Sequence, residues 1–348
     1  MFKLNIRVFY FNFIMIMKIN NFRNFLIILL LFATQIACKA QTDSSLIIGN
    51  FKISKVTDGD TFRFENLDNS VRLLGIDTEE TFKTEDAEQK TNELAQNWEA
   101  YYKAERGDSK MPVKADSPFG YEAWKWAEEF LKDADYVRLE TEADDRSVDM
   151  YGRYLVYMIV IMKDGTEVNY NIECVRLGYS PYFNKYGNST RFHEAFTEAQ
   201  EYARSNNLGI WDPEKKHYPD YEKRIVWWNK RAKQIEDFEK NYSGKENYLN
   251  LNSDKDFNSL GEYIGQEITV FGGISNIMTK KFPYLLRIPH SKKENFDIVV
   301  YEENVGLLNE INIEDKKEYY IFAKGILESY KDGYQIVLKN KDQIWMED

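Results

Sequence analysis

The chain has 348 residues and a formal net charge of −11, and 43% of its residues are hydrophobic and 15% aromatic. This length and apolar content allow two folded domains with large cores. The acidic balance argues against a protein whose main task is passive binding of nucleic acid, because such proteins usually present a basic surface. It does not exclude an enzyme, since a bound cation and a few arginines can dominate the local field.

Residues 1–41 have the composition of an export segment. Lys18 and Arg23 precede a dense apolar run at residues 25–32, and polar residues follow that run. The run is short for a membrane span and typical of a signal peptide. The segment therefore predicts an exported protein, either secreted, periplasmic or held in the cell envelope.

The end of the export segment leaves alternatives open. An imperfect lipobox ends at Cys38, and its lipidation would tether the protein to a membrane as a lipoprotein. Cleavage after Ala40 would instead free the chain, and a permanent N-terminal anchor helix is a third alternative. The other cysteine is Cys174, so we expect no intramolecular disulfide in the mature protein.

Residues 46–212 predict a first domain of short strands and helices. The predicted strands are residues 46–57, 61–65, 71–76, 136–141 and 154–161. The predicted helices are residues 119–133, 168–177 and 191–206. Five strands with flanking helices are typical of a small OB-type barrel. Residues 82–117 form a charged insertion in this domain and are predicted to be helical from 85 to 105. Because the insertion directly follows residues 72–80, it is predicted to cover the cleft beside them as a lid.

Residues 213–249 predict a helical linker. Pro213 stops the preceding helix, and apolar residues recur at helical spacing over residues 221–240. Such a stripe most often packs in a core or between domains. The alternative is a nucleic-acid contact through the basic residues of the same stretch, Lys230, Arg231 and Lys233.

Residues 250–348 predict a second β-rich domain. The predicted strands are residues 266–275, 284–288, 296–301, 319–328 and 334–344, with a hairpin turn at Asp332-Gly333. Five alternating strands with internal glycines favour another OB-like barrel. Nucleic-acid binding and packing against a partner are both open for it. The predicted fold class of the chain is therefore mainly β with α, or α+β.

Three short runs carry the functional pattern. They are Asp58-Gly59-Asp60-Thr61, residues 72–80 with the sequence RLLGIDTEE, and residues 149–153 with the sequence DMYGR. They combine carboxylate oxygens, which suit a hard cation, with arginine forks, which suit phosphate. The three histidines lie far apart, so no zinc site is expected.

In this order the runs resemble the active site of the staphylococcal nuclease family, and the resemblance extends over residues 46–212. It implies an OB-type barrel that hydrolyses phosphodiester bonds of DNA or RNA and needs Ca²⁺. It implies that the carboxylates of Asp60 and Asp77 and the backbone carbonyl of Thr78 bind the calcium ion.

The resemblance also implies roles for the remaining site residues. Glu80 would activate the attacking water, and Arg72 and Arg153 would bind the phosphate. Residue 79 is glutamate where the family commonly has proline, which predicts a looser turn. Three tyrosines are candidate substrate contacts. Tyr151 would touch phosphate, and Tyr182 and Tyr186 would stack on bases.

Two functions from different classes follow. The first is a calcium-dependent nuclease that acts on nucleic acid and is monomeric. The alternative is a non-catalytic nucleic-acid- or protein-binding module of the cell envelope. A catalytic member of the family is distinguished from a non-catalytic one by five site residues. All five are present here, which favours the enzyme: Asp60, Arg72, Asp77, Glu80 and Arg153.

Overall fold

The computed structural model describes residues 44–143, 148–149 and 151–347. The predicted export segment, including Cys38, lies outside the described residues. Within them, no helix is both long enough and apolar enough to cross a membrane. Cys174 is a buried free thiol.

The N-terminal sheet has seven strands and curls round its core. The strands are β1 (Ile47–Phe51), β2 (Ile53–Val56), β3 (Thr61–Phe64), β4 (Val71–Leu73), β5 (Ala134–Glu140), β6 (Tyr154–Met162) and β7 (Glu167–Asn169). Their order is β1-β5-β6-β4-β3-β2, with β7 against β6. Because Lys52 alone separates β1 from β2, the first strand segment supplies both ends of this path. Each predicted strand is present in part: the first is split at Lys52, and the third ends at Leu73 instead of residue 76. The predicted α+β class is confirmed.

The helices pack outside the sheets. They are α1 (Ala87–Gln96), α2 (Trp98–Arg106), α3 (Pro118–Phe130), α4 (Tyr170–Arg176), α5 (His193–Ser205), α6 (Tyr221–Asn241), α7 (Asp254–Ser259), α8 (Leu307–Glu310) and α9 (Ile313–Lys316). Helix α3 begins where the sequence signals it: Ser117 caps it by accepting the Gly120 N–H at 2.8 Å, and Pro118 follows the cap.

The insertion forms two helices rather than one, because α1 and α2 are separated at Asn97. Its aromatic residues pack against the segment that precedes α6. Trp98 stacks on Tyr218 with ring centroids 6.3 Å apart, and its indole N–H donates to the carbonyl of His217 at 3.1 Å. The insertion is therefore fixed to residues far along the chain.

Helix α6 bridges the N-terminal and C-terminal β regions, as the apolar stripe predicts. The indole N–H of Trp227 donates to the carbonyl of Glu318 at 3.2 Å, and Gln234 exchanges two hydrogen bonds with Tyr320. Arg231 is buried and donates to the carbonyls of Lys185 and Glu318. Arg231 is thus a packing residue, and the alternative that it contacts nucleic acid is wrong for this residue.

The C-terminal region holds two sheets. The strands are β8 (Tyr248–Asn250), β9 (Glu267–Gly273), β10 (Asn276–Met278), β11 (Tyr284–Pro289), β12 (Asn295–Val300), β13 (Tyr320–Ile326), β14 (Glu328–Tyr330), β15 (Gly333–Val337) and β16 (Ile344–Trp345). One sheet has the order β10-β11-β12-β15-β14, and the other has the order β16-β13-β9-β8. The predicted hairpin turn joins β14 to β15. The predicted strand at 334–344 is wrong in its second half, because a 3₁₀ turn capped by Asn340 interrupts it.

The two β regions share one strand order. In the first, β4 pairs in parallel with β6, and in the second, β12 pairs in parallel with β15. The remaining neighbours in each path are antiparallel apart from the short β8. Short chain segments continue β9 into β10 and β13 into β14, and these segments link the two C-terminal sheets. This order is that expected of two OB-type regions.

Candidate active site

The turn between β2 and β3 places Asp60 beside Thr78. Asp58 accepts the Asp60 N–H at 3.2 Å, which shapes the turn. The N–H and hydroxyl of Thr78 donate to Asp60 Oδ2 at 2.8 and 3.2 Å. Gly59 is needed for this approach, because a Cβ atom there would lie 2.7 Å from the Thr78 methyl group.

A single arginine joins the two carboxylates that the sequence analysis assigned to a metal ion. Pairing of β3 with β4 sets Arg72 opposite Thr61, directly after Asp60. One Nη atom of Arg72 contacts Asp60, and the other contacts Asp77. The Asp77 N–H donates to the Ser180 hydroxyl at 2.8 Å, which fixes the backbone of the second aspartate.

The two carboxylates differ in acidity although both are buried. Burial raises the pKa of Asp60 to about 7, the charges of Asp58 and Asp77 add to this rise, and Arg72 opposes it. Burial also favours the neutral form of Asp77, but Lys114 and Arg72 outweigh it and lower the pKa of Asp77 to about 2. Asp77 is therefore the firmly ionised member of the pair.

Two lysines of the insertion enter this acidic cluster, and neither was among the site residues predicted from the sequence. Lys83 Nζ lies 2.8 Å from Asp58 Oδ2 and 3.9 Å from Glu80 Oε2. Lys114 Nζ lies 2.6 Å from Asp77 Oδ1 and 3.7 Å from Glu80 Oε1. Lys83 stands three positions after Glu80 and could have been suspected, whereas nothing local marks Lys114.

Glu80 sits at the mouth of the cluster on a fixed backbone. Its side chain is 37% exposed. The Ser117 N–H donates to the Glu80 carbonyl at 3.0 Å, and the Glu80 N–H donates to the Tyr218 hydroxyl at 3.3 Å. A Cβ atom at Gly120 would lie 2.0 Å from the Glu80 carbonyl oxygen, so only glycine lets α3 approach here. This explains the glycine in the FGYEA run of residues 119–123.

Glu79 points away from the cluster and into the protein. It is 1% exposed and accepts hydrogen bonds from Ser117, from the Tyr218 N–H at 2.6 Å and from the Tyr221 hydroxyl at 2.9 Å. The expectation of a looser turn is wrong, because the glutamate ties residues 79–80 to the start of α3 and to the segment before α6. Glu79 and Glu80 are adjacent in the sequence, but Glu79 makes buried structural hydrogen bonds, whereas the side chain of Glu80 is partly exposed.

Replacing Glu79 with alanine should lower the free energy of unfolding by about 2 to 4 kcal/mol, since buried donors would lose their acceptor. Burial raises the pKa of Glu79 to about 7. A raised carboxyl pKa adds stability below the unfolded pKa, and that stability is lost as the pH rises through 7. The loss in the variant should therefore be larger at pH 5 than at pH 8. Denaturant titrations at both pH values measure it, and an equal loss would contradict this assignment.

Arg153 lies at the start of β6 and is held by Asp149. Its Nε donates to Asp149 Oδ2 at 2.8 Å, and its own N–H donates to Oδ1 at 2.9 Å. The parallel pairing of β4 with β6 places Arg153 beside Ser70, two residues before Arg72. Among the described contacts, none joins Arg153 directly to the carboxylates of Asp60 and Asp77. The backbone of Arg153 therefore lies near β4, but its guanidinium is bound to Asp149 and not to these two carboxylates.

The three candidate tyrosines differ in exposure. Tyr182 is buried, stacks on Phe196 at 4.8 Å and accepts the Ser189 N–H at 2.8 Å. Its ring is part of the core and is not accessible to a base, so base stacking is not retained for it. Tyr151 and Tyr186 are exposed by 61% and 50%.

The donor set suits a hard cation. Calcium prefers carboxylate and carbonyl oxygens, which Asp60, Asp77 and the Thr78 backbone supply. Within the described part of the chain, no group of three or more His, Cys, Asp or Glu side chains is arranged as metal ligands. The ligand set implied by the family resemblance has only two carboxylates, Asp60 and Asp77, and both are present here. One oxygen of Asp77 is in contact with both Arg72 and Lys114.

Comparison with known proteins points to one family. Residues 70–213 match the family model described as staphylococcal nuclease homologue. The matched range contains Arg72, Asp77, Glu80 and Arg153, whereas Asp60 precedes it. In a search of curated proteins, no match to the chain was found.

Proposed function

We propose that the protein is an exported nuclease that hydrolyses phosphodiester bonds of DNA or RNA in the presence of Ca²⁺. The proposal is supported by the match of residues 70–213 to the staphylococcal nuclease family model and by the export-like composition of residues 1–41. The observation that carries the proposal is the contact of Arg72 with both Asp60 and Asp77, beside a partly exposed Glu80. This arrangement concentrates acidic ligands, a fixed cation and a candidate base at one edge of the barrel.

The proposed cation site comprises Asp60, Asp77 and the carbonyl of Thr78. A calcium ion there would reduce the charge of the phosphate and lower the pKa of a bound water. It would also favour the ionised form of Asp60, because a nearby cation opposes the effect of burial. The N–H and hydroxyl of Thr78 hold the Asp60 carboxylate in place without the ion.

Glu80 is the proposed general base. Its carboxylate is accessible to water, and its backbone is fixed from both sides by Ser117 and Tyr218. A base on such a backbone can take a proton from a water that attacks the phosphorus atom. The pairs with Lys83 and Lys114 are long, at 3.9 and 3.7 Å, so they do not lock the carboxylate.

Arg72 and Arg153 are the proposed phosphate ligands, and Arg72 also joins the acidic pair through its two Nη atoms. Arg153 keeps its Nε and one Nη on Asp149, which orients the fork. Tyr151 lies beside it, with the guanidinium carbon 5.6 Å from the ring centroid. A planar fork fixed in this way can bind two phosphate oxygens and stabilise the charge that develops on them.

The C-terminal β region is proposed to extend the substrate path. The turn between β11 and β12 carries Lys292, whose ammonium lies 4.6 Å from the ring centroid of Tyr151. The β14–β15 turn with Lys331 lies at the same end of this sheet, because β12 and β15 run in parallel from Phe296 and Tyr334. Cations beside Tyr151 would attract the phosphates that flank the cleaved bond.

Replacing Lys292 with alanine should raise the Michaelis constant for a long single-stranded polymer about threefold and leave that for a dinucleotide unchanged, since one phosphate contact is lost. Lys281→Ala is the matched control, because Lys281 is exposed on the turn at the opposite end of the sheet. Equal effects of the two changes would mean that this end of the region does not touch substrate. Truncation near residue 215 is a poorer test, as it removes the Tyr218 and Tyr221 contacts to Glu79.

Digestion of plasmid DNA and total RNA tests the enzyme against the binding module. The wild-type protein should cleave at least one of them, and Asp77→Ala should not. Binding of nucleic acid without cleavage by the wild type would favour the alternative, a non-catalytic module of the cell envelope.

A further inference from the structure

The insertion delivers ammonium groups to the acidic cluster from both of its ends. Lys83 follows its first residue and contacts Asp58, and Lys114 lies near its last residue and contacts Asp77. The backbone next to Lys114 is fixed, because the N–H and the carbonyl of Ala115 both bond to the Tyr218 hydroxyl. The Lys114 side chain is 45% exposed, so it can move while its backbone stays in place.

The charges of the cluster are almost balanced without any metal ion. Its four carboxylates are in contact with three cationic side chains, which leaves a single negative charge in excess when all groups are ionised. A divalent cation at Asp77 would stand a few ångströms from Lys114 Nζ, which lies 2.6 Å from Asp77 Oδ1. Like charges at this separation in a partly buried site repel strongly. The ammonium and the cation are therefore alternative partners of the same carboxylate.

We infer that Lys114 is a built-in competitor of the divalent cation and sets the affinity of the site for it. This inference rests on the proposed function. The ammonium holds Asp77 in the absence of the ion, and an arriving ion displaces the side chain toward solvent. Lys114 Nζ also lies 3.7 Å from Glu80 Oε1, so the same displacement removes a positive charge from beside the proposed base.

The test is calcium binding to the full chain, measured by calorimetry and by displacement of luminescent terbium. Lys114→Gln and Lys114→Ala should each lower the dissociation constant about tenfold, as expected when one competing charge pair is removed. Lys110→Ala removes the same charge from an exposed position of the same segment, which has no described ion pair, and should leave the constant unchanged. Lys114→Gln keeps a polar, uncharged side chain at this position, so it serves if the alanine variant folds poorly.

Three results would overturn the inference. An unchanged or weaker affinity in Lys114→Gln would show that the ammonium does not compete. Absence of calcium binding in every variant would show that there is no bound calcium ion with which Lys114 could compete. The proposed nuclease activity would still be tested separately, by the digestion assay with other divalent ions. Hydrolysis in chelator that disappears in Lys114→Gln would mean that the ammonium replaces the ion instead of excluding it.

Discussion

Replacing Glu80 with glutamine should reduce the turnover of nucleic acid roughly a thousandfold, because general-base catalysis typically contributes between a hundredfold and ten-thousandfold. The change keeps the size of the side chain and the backbone bonds to Ser117 and Tyr218, so the fold should survive. The Michaelis constant should change little, since the carboxylate acts on water rather than on the substrate.

Steady-state hydrolysis of a single-stranded oligonucleotide measures this effect. Glu85→Gln is the matched control, because Glu85 is exposed and lies in the neighbouring insertion. A Glu80→Gln variant that retained more than a tenth of wild-type turnover would remove Glu80 from the proposed role of base.

Replacing Arg153 with alanine should reduce turnover about a hundredfold or more, as the loss of one preorganised charge donor usually does. Arg153→Lys should recover little of this, because an ammonium cannot form the bidentate fork. Arg153 is the cleaner choice of the two arginines. Loss of Arg72 would also leave Asp60 and Asp77 buried without their shared partner, so stability would fall together with activity.

The Arg153 variants are best compared by single-turnover kinetics and thermal denaturation. Arg63→Ala controls for the change in net charge, since Arg63 is exposed on β3. Wild-type turnover in Arg153→Ala would contradict the role of this residue as phosphate clamp, whereas a large drop in thermal stability would assign it to the structure.

The local parts of the site could be predicted from the sequence. The Asp58-Gly59-Asp60 turn and strand β4, which carries Arg72, are short-range features. The contact of Arg72 with Asp60 then follows from the β3–β4 register, which sets Arg72 opposite Thr61. Such features depend on neighbouring residues, whose preferences the sequence displays directly.

The long-range parts could not be predicted. Lys114 reaches Asp77 only because the insertion packs on the segment before α6, and Glu79 turns inward only because Ser117, Tyr218 and Tyr221 supply donors there. No local pattern marks these partners. Tyr182 shows the same limitation, since its aromatic ring suited a binding role and a core position equally well until its stacking on Phe196 was known.

The most direct measurement is hydrolysis of a single-stranded oligonucleotide by the wild-type protein in calcium, then in an excess of a calcium-selective chelator, and finally in restored calcium. If Asp60, Asp77 and Thr78 hold the ion that the reaction needs, hydrolysis should proceed in calcium, stop in chelator and resume when calcium is restored. Full turnover in the chelator, without any divalent ion, would contradict the proposed calcium-dependent nuclease.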